Sequence, residues 1–258
     1  MGKIGDQFEE LVEIVSKLRS PEGCPWDREQ TNHSLLPYFI EEVYEVIESI
    51  DENNWDLLKE ELGDVLLHLV FQASIAEDNE NFQILNSLEN INKKLVHRHP
   101  HVFGDANADA AFHAKQNWEE EKHKEKGRKS RLDGVPNTLP ALIRAERLQQ
   151  KASYAGFDWE KIEQVWEKVH EEILELKNAE ISGVKQDIEE EIGDLIFAIV
   201  NLSRHLNIAS EDALRKTNQK FVRRFIKVEE GIKDKGKELK EASLEEMDLL
   251  WNEAKHSE

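Results

Sequence analysis

Hydrophobic positions recur with a helical period along nearly the whole chain. Phe8, Leu11, Val12, Val15 and Leu18 form one stripe at the start of the sequence. The same period predicts further helices over 37–50, 55–76, 82–97, 108–125, from about 139, and over 162–179, 185–206, 210–232 and 244–254. Because the chain holds only 12 glycines and 6 prolines, many short strands joined by tight turns are excluded. The pattern therefore predicts an all-α protein.

A set of six acidic residues occurs twice along the chain. Each copy contains two acidic runs whose first residues are 19 positions apart (41 to 60 and 171 to 190), and the copies are offset by 130 positions (41 to 171). The acids are Glu41, Glu42, Glu45, Glu60, Glu61 and Asp64 in the first copy, and Glu171, Glu172, Glu175, Glu190, Glu191 and Asp194 in the second. Acids at this spacing share one helix face. Turn residues at 51–54 and at 182–183 then allow two antiparallel helices to face each other across the acids.

The repeat extends beyond the acids and indicates a duplicated unit. ELGDVLLHLVF at 61–71 aligns with EIGDLIFAIVN at 191–201, and KKLVHRH at 93–99 aligns with QKFVRRF at 219–225. Two copies are too few for a solenoid. The polar, basic segment KHKEKGRKSR at 122–131 is typical of a solvated connector. We therefore expect a first domain over 1–121, a linker over 122–138 and a second domain over 139–258.

The acids are the kind of ligands that a divalent cation selects. Facing carboxylates repel one another, strongly so when they are desolvated together, and a bound cation removes that cost. Neither run contains Cys or His, and hard oxygen ligands favour Mg²⁺, with Mn²⁺ as a substitute, over Zn²⁺. Because Mg²⁺ commonly binds phosphates, this indicates phosphoryl chemistry. Gly63 and Gly193 interrupt both copies at a cost of about 1 kcal/mol each, which predicts close approach of another helix or a ligand.

Composition limits the classes of partner. A net charge of −20 argues against a broad surface for nucleic-acid polymers, but small anionic substrates are compatible with it where metal ions mask the carboxylates. Cys24 is the only cysteine, so an intramolecular disulfide is excluded and a reduced, cytoplasmic setting is expected. The apolar stretches at 65–71 and 195–200 are much shorter than the roughly 20 residues that span a membrane.

Residues outside the acid runs allow two interpretations each. Taken alone, Lys220, Arg223 and Arg224 are typical of a solvated helix face, and Trp251 is typical of a core or an interface. Beside a metal ion the cations can bind phosphates, and the indole can stack on a base. We also expect the hydroxyls of Ser210 and Ser243 to cap the helices that follow them.

Several segments together resemble the MazG family of all-α nucleoside triphosphate pyrophosphohydrolases. Besides the two acid patterns, these segments are CPWD (24–27), HRHPHVFG (97–104), LPALIRAERLQ (139–149), GFDW (156–159) and NQKFVRRF (218–225). The resemblance covers nearly the full length. It implies two tandem helical domains, each of which completes a four-helix-type bundle by homodimerisation. It also implies Mg²⁺-dependent hydrolysis of nucleoside triphosphates to monophosphate and pyrophosphate, with broad tolerance for the base and roles in cleaning the nucleotide pool and in bacterial stress.

The resemblance also implies roles for single residues, mainly in the second half. The metal-binding and catalytic positions are Glu172, Glu175, Glu191 and Asp194, with Glu171 and Glu190 as their neighbours. Lys220 and Arg224 match phosphate-binding positions of the family. Trp251 matches its nucleotide-contacting tryptophan. Asn201 aligns with Phe71, which ranks the second site above the first. Asp187 stands where the family can carry a lysine. The first copy is then expected to serve dimer formation or nucleotide sensing.

Two other classes of function fit part of the pattern. A helical scaffold or nucleotide-sensing regulator can retain the acids without activity. A di-iron carboxylate bundle requires Glu-x-x-His pairs on its helices, which the acid runs lack.

Overall fold

The protein folds into helices in both halves of the chain. The computed structural model describes residues 2–104, 118–119, 121–122, 125, 127 and 129–257, and these residues form helices and turns without any strand. The chain divides into two compact units, Met1–Ala114 and Lys115–Glu258. The all-α prediction is confirmed. None of the described helices is long and apolar enough to cross a membrane.

The first unit is built around a long helix hairpin. Its helices are α1 (Lys3–Arg19), α2 (Pro25–Glu29), α3 (Leu36–Asp51), α4 (Trp55–Asp78), α5 (Ile84–Arg98) and α6 (Pro100–Phe103). The apolar stripe of α1 packs on α4, where Val15, Val70, Phe71 and Ile75 are buried together with Leu35. Burial of this stripe fixes the far end of α4 and leaves the acid-bearing end of the hairpin outside the core.

A three-residue turn joins α3 to α4. Asn53 adopts the left-handed conformation with φ of 54°, which asparagine tolerates better than most residues. The Asn54 side chain then accepts a hydrogen bond from the backbone N–H of Leu57 at 3.2 Å and caps α4. This turn sets the two acid runs of the first copy side by side.

The second unit repeats the hairpin and adds a further helix pair. Its helices are α7 (Ala141–Tyr154), α8 (Ile162–Ser182), α9 (Lys185–His205), α10 (Ser210–Asp234) and α11 (Leu244–His256), with a 3₁₀ turn at Leu239–Glu241. Val165, Val169, Ala198 and Leu202 form the buried contact between α8 and α9. Gly183 ends α8 at φ 71°, a left-handed cap that suits glycine. Helix α7 packs on α9, and α11 packs on α10.

Gly231 allows the close packing of α10 and α11. A Cβ atom added at Gly231 would lie 2.6 Å from Cδ2 of Leu250 on α11. Since real Cβ atoms do not approach other heavy atoms so closely, any larger residue here must displace Leu250. Trp251 follows Leu250 directly, so this contact also sets the position of the tryptophan.

An ion cluster ties the start of the second unit to α7. The Glu119 carboxylate is 7% exposed and receives a hydrogen bond at 3.0 Å from the ammonium of Lys151, which is itself 5% exposed. Arg147 approaches the same carboxylate at 3.2 Å and Lys122 at 3.8 Å. Burial alone would raise the pKa of Glu119, but the hydrogen bond from Lys151 and the charges of the three cations lower it below its usual value.

Most predicted helices occur within a few residues of their expected ends, and the differences are local. The short helices α2 and α6 and the 3₁₀ turn were not predicted, because a few residues carry no measurable period. The cap at Ser243 is confirmed, since its hydroxyl accepts from the N–H of Glu246. The cap at Ser210 is wrong: Ala209 precedes the helix, and Ser210 is its buried first residue. The helix predicted over 108–125 lies largely outside the described residues.

Candidate active site

Three carboxylates of the second acid set converge between α8 and α9. One oxygen from each of Glu172, Glu175 and Glu191, here named the second triplet, lies within 4.8 Å of the others. Glu172 is buried, Glu191 is half-buried and Glu175 is exposed, so the triplet opens to solvent on one side. Asp194, one turn after Glu191, is exposed, and its charge acts on Glu191. Glu190 is exposed beside it.

The carboxylates of the second triplet repel one another. Burial raises the pKa of Glu191, and the charges of Glu175 and Glu172 raise it further. The pKa of Glu175 is also raised, although its side chain is exposed, because its carboxylate is partly desolvated beside its neighbours and because the charge of Glu172 repels it. One oxygen of Glu191, Oε2, is buried without a hydrogen-bond partner among the described residues. Mutual repulsion and an unsatisfied oxygen fit a divalent cation with oxygen ligands.

A lysine that the sequence analysis overlooked lies against the second triplet. The ammonium of Lys168 is 2.7 Å from Oε1 of Glu172 and 2.9 Å from Oε1 of Glu171. Hydrogen bonds to these two carboxylates raise the pKa of Lys168 above its usual value. The signal in the sequence is the i, i+4 spacing from Lys168 to Glu172 on one helix.

The first acid set forms an equivalent cluster between α3 and α4. One oxygen from each of Glu42, Glu45 and Glu61, here named the first triplet, lies within 4.8 Å of the others. Burial raises the pKa of Glu42 to about 7, and the charges of Glu45 and Asp64 act in the same direction. The two copies therefore build the same carboxylate geometry. Glu41 and Glu60 are exposed neighbours of the triplet.

A histidine beside the first triplet corrects one premise of the sequence analysis. The acid runs contain no histidine, but Nε2 of His68 lies 3.9 Å from Oε1 of Glu42. Burial lowers the pKa of His68, against the opposing charge of Asp64, and its Nδ1 atom is buried without a partner among the described residues. The aligned residue of the second copy is Ala198, so the two clusters differ in their surroundings.

The two motif glycines lie in open helix surface. A Cβ atom added at Gly63 or at Gly193 would meet no atom within 4 Å among the described residues. The expected close approach of another helix or a ligand is thus not made by the described residues of this chain and stays a prediction. Space remains at both positions for a ligand or for another molecule.

Two of the expected nucleotide-binding residues lie together on α10 and α11. The guanidinium carbon of Arg224 is 5.8 Å from the centre of the Trp251 ring, and the Phe221 ring is 5.2 Å from it. Lys220 lies one turn before Arg224 and is half-buried, as is Arg224. A cation over an indole ring is a favourable pair that orients both groups.

Asn201 takes part in a network that holds the turn before α8. Its Oδ1 accepts hydrogen bonds from Nε and Nη2 of Arg204, at 3.2 and 2.8 Å. Arg204 also binds the Asp158 carboxylate through both terminal nitrogens, and His205 Nε2 lies 3.1 Å from it. Burial raises the pKa of Asp158, but the hydrogen bonds and the charge of Arg204 outweigh this effect and lower it. At the aligned position, Phe71 is 6% exposed and belongs to the core of the first unit.

Comparison with known proteins places the chain in a family. The profile of the MazG nucleotide pyrophosphohydrolase domain matches residues 30–103 and 160–228, one match on each acid hairpin. A nucleoside triphosphate pyrophosphohydrolase/pyrophosphatase MazG of Thermotoga maritima is 52% identical over 99% of this chain and 98% of its own length. A nucleoside triphosphate pyrophosphohydrolase of Escherichia coli K12 is 42% identical over 98% of both chains. An uncharacterised Bacillus subtilis protein, YabN, is 47% identical over 98% of this chain and 52% of its own length. The chain belongs to the MazG nucleotide pyrophosphohydrolase family.

Proposed function

We propose that this protein hydrolyses nucleoside triphosphates to the monophosphate and pyrophosphate, using Mg²⁺ or, as a substitute, Mn²⁺. The observation that carries the proposal is the second triplet, an all-oxygen cluster in a chain whose relatives bear the name nucleoside triphosphate pyrophosphohydrolase. We further propose broad tolerance for the base, and roles in clearing aberrant nucleotides and in the stress response.

The second triplet and Asp194 would hold the cation. Glu172, Glu175 and Glu191 supply converging oxygens, and the unpartnered Oε2 of Glu191 has unused ligand capacity. A divalent cation bound here supplies positive charge to the phosphates and acidity to a water molecule. Glu172 or Glu175 orients or deprotonates the water that attacks phosphorus in line. Glu171 and Glu190 flank the triplet and tune its charge.

Residues of α10 and α11 complete the proposed site. Lys220 and Arg224 neutralise the phosphates and the leaving pyrophosphate, since preformed positive charge stabilises the charge that develops on the leaving group. Trp251 stacks on the base, and its contact with Arg224 supports the assignment of both residues to one ligand. Asn201 is proposed to act near the same ligand, with its amide oxygen already held by Arg204.

The first triplet is proposed to serve nucleotide sensing or dimer formation. It retains the carboxylate geometry of Glu42, Glu45 and Glu61, so cation binding remains chemically reasonable there. Its surroundings differ, with His68 beside Glu42 and Phe71 buried in the core where the second copy has Asn201. We therefore rank the second triplet as the working site.

We also propose that the protein is a homodimer, with domains at 1–121 and 139–258 joined by a linker at 122–138. Both acid hairpins carry large apolar side chains that the described residues leave uncovered, among them Leu66 on α4 and Ile196 on α9, 44% and 47% exposed. A second copy that packs on these faces would remove this surface from water.

Separate replacement of the two matched aspartates tests the proposed function. With Asp194→Asn, metal-dependent pyrophosphate release from several nucleoside triphosphates should fall at least about 100-fold, because a charge that balances the cation is lost. With Asp64→Asn, the rate should stay close to that of the unmodified protein. Products are identified by chromatography and pyrophosphate is measured with a coupled assay.

The outcomes separate the competing functions. Full turnover by the Asp194→Asn protein would rule out the assignment of the second triplet as the working site. An unmodified protein that binds nucleotide and releases no pyrophosphate would instead be a scaffold or a sensor. Bound iron in the purified protein would favour a di-iron bundle.

A further inference from the structure

Lys168 places a positive charge against the second triplet. Its ammonium lies 2.7 Å from Glu172, whose side chain is only 6% exposed, and 2.9 Å from Glu171. Lys168 itself is 39% exposed, so its long side chain can move into solvent. The lysine therefore binds the most buried carboxylate of the triplet while its own side chain stays partly in solvent.

The first triplet provides an internal comparison without such a lysine. The offset of 130 residues between the copies aligns Lys168 with Tyr38, one turn before Glu42. The Tyr38 ring contacts Trp26 edge-on at 6.0 Å. Within the described ranges, no lysine or arginine forms an ion pair with Glu42, Glu45 or Glu61. The chain therefore contains two similar carboxylate clusters, of which the second has a lysine ammonium as partner and the first, within the described ranges, has none.

An ammonium ion and a divalent cation compete for the same carboxylate. The ammonium of Lys168 holds Oε1 of Glu172, and two cations a few ångströms apart repel each other strongly in a partly buried site. We propose that Lys168 competes with the divalent metal for Glu172, because its ammonium holds one oxygen of this carboxylate and its charge opposes a second cation there. This inference rests on the proposed function only in taking the second triplet to be a metal site.

Direct metal titration tests the competition without measuring activity. The full-length chain carries Glu61→Gln, which disables the first triplet, and is titrated with Mn²⁺ alone while free Mn²⁺ is followed by electron paramagnetic resonance. Lys168→Met should tighten Mn²⁺ binding about tenfold, because the competing charge is removed. Lys177→Met removes the same charge from an exposed position of the same helix and should leave the affinity within about twofold. Lys168→Arg should restore weak binding.

The reciprocal change adds the competitor to the other cluster. In a chain whose second triplet is disabled by Glu191→Gln, Tyr38→Lys should weaken Mn²⁺ binding at the first triplet about tenfold. Tyr38→Met, which removes the ring without adding charge, serves as the control for this variant. Circular dichroism checks that each variant keeps its helix content.

The results distinguish the failure of this inference from that of the proposed function. Equal or weaker Mn²⁺ binding by the Lys168→Met protein overturns the competition, and the proposed function stands if that protein still releases pyrophosphate. Equal tightening by Lys177→Met also overturns it, because the effect would then be one of general charge. A Glu61→Gln chain that binds no Mn²⁺, with or without Lys168, overturns both the competition and the metal site itself.

Discussion

At the scale of single residues, buried charges in this protein are stabilised by specific partners. Glu119 is almost fully buried and is matched by three cations, of which Lys151 is buried equally deeply. A charge held in this way contributes little net stability as a pair, but the loss of one partner leaves the other charge uncompensated. The attachment of residue 119 to α7 therefore depends on both members.

Loss of the Lys151 ammonium should destabilise the second unit. For Lys151→Met we expect the free energy of unfolding to fall by about 3 kcal/mol, because Glu119 is left buried against weaker partners. Urea denaturation followed by circular dichroism measures this change. Lys177→Met, at an exposed position, should alter stability by less than about 0.5 kcal/mol.

The buried pair of Glu119 and Lys151 should also make the free energy of unfolding depend on pH. Because the folded-state pKa of Glu119 is below its ordinary value of 4.5, its contribution is complete above that pH and is lost as the pH falls toward the folded-state pKa. The unmodified protein should therefore lose more stability on acidification below about 4.5 than the Lys151→Met protein. If the free energy of unfolding falls equally for both proteins as the pH is lowered, Lys151 does not stabilise the ionised form of Glu119.

At the scale of elements, the sequence predicted the helix hairpins well because two independent signals agree there. The apolar period defines the helices, and Asn53 and Gly183 stand at the turns where left-handed backbone is needed. Only three of the six acids in each copy converge, since successive residues of a helix point about 100° apart and adjacent acids cannot all lie on the inner face. Lys168 and His68 lie outside the acid motifs but act on carboxylates within them; the i, i+4 spacing indicates the contact of Lys168 with Glu172, whereas the contact of His68 with Glu42 joins two helices and required the structure.

Short elements and exact caps were less predictable. The five residues of α2 are too few to show a period, and the start of α10 is decided by the burial of Ser210 rather than by its hydroxyl. The sequence alone does not distinguish a serine that caps a helix from one that is buried in its first turn. Tertiary packing decides between them, as it does at Ser243, whose hydroxyl is left outside to bind Glu246.

Two glycines that look alike in sequence should respond differently to a methyl group. Gly231→Ala should change the free energy of unfolding by less than about 1 kcal/mol, since the new Cβ must push aside the end of the Leu250 side chain and this cost offsets the gain in helix propensity. Gly193→Ala should raise it by up to about 1 kcal/mol, because the helix gains propensity and no described atom is displaced. Thermal and urea unfolding measure both. A Gly231→Ala protein stabilised as much as the Gly193→Ala protein would contradict the close packing of Gly231 on Leu250.

At the scale of the whole molecule, the two units share a pattern of uncovered apolar side chains. Leu62, Leu66 and Leu69 on α4 correspond, through the offset of 130, to Ile192, Ile196 and Ile199 on α9. All six are between 44% and 49% exposed. Their spacing of four and then three residues makes one stripe on each helix. A repeated stripe of this kind is typical of a helix face that packs on another molecule.

A charge placed in the stripe should separate the proposed dimer. For Ile196→Glu we expect the mass in solution, measured by light scattering after size exclusion, to shift from two chains toward one, because a buried unpaired carboxylate is costly. Leu244→Glu changes a residue that is 75% exposed and lies outside the stripe, and should leave the mass unchanged. An Ile196→Glu protein that remains fully dimeric would place the interface elsewhere.

The hairpin arrangement of each triplet also has a consequence for the order of folding. Glu42 and Glu61 are 19 residues apart in the chain (42 to 61), and so are Glu172 and Glu191, so each cluster closes with a short loop and a local contact. Local contacts form quickly, since little chain entropy is lost before they are made. During synthesis, all of α4 leaves the ribosome long before the second copy has been translated, so the first hairpin can close first. A cation bound at that stage would stabilise the nascent hairpin, so metal supply would influence the yield of folded protein as well as its turnover.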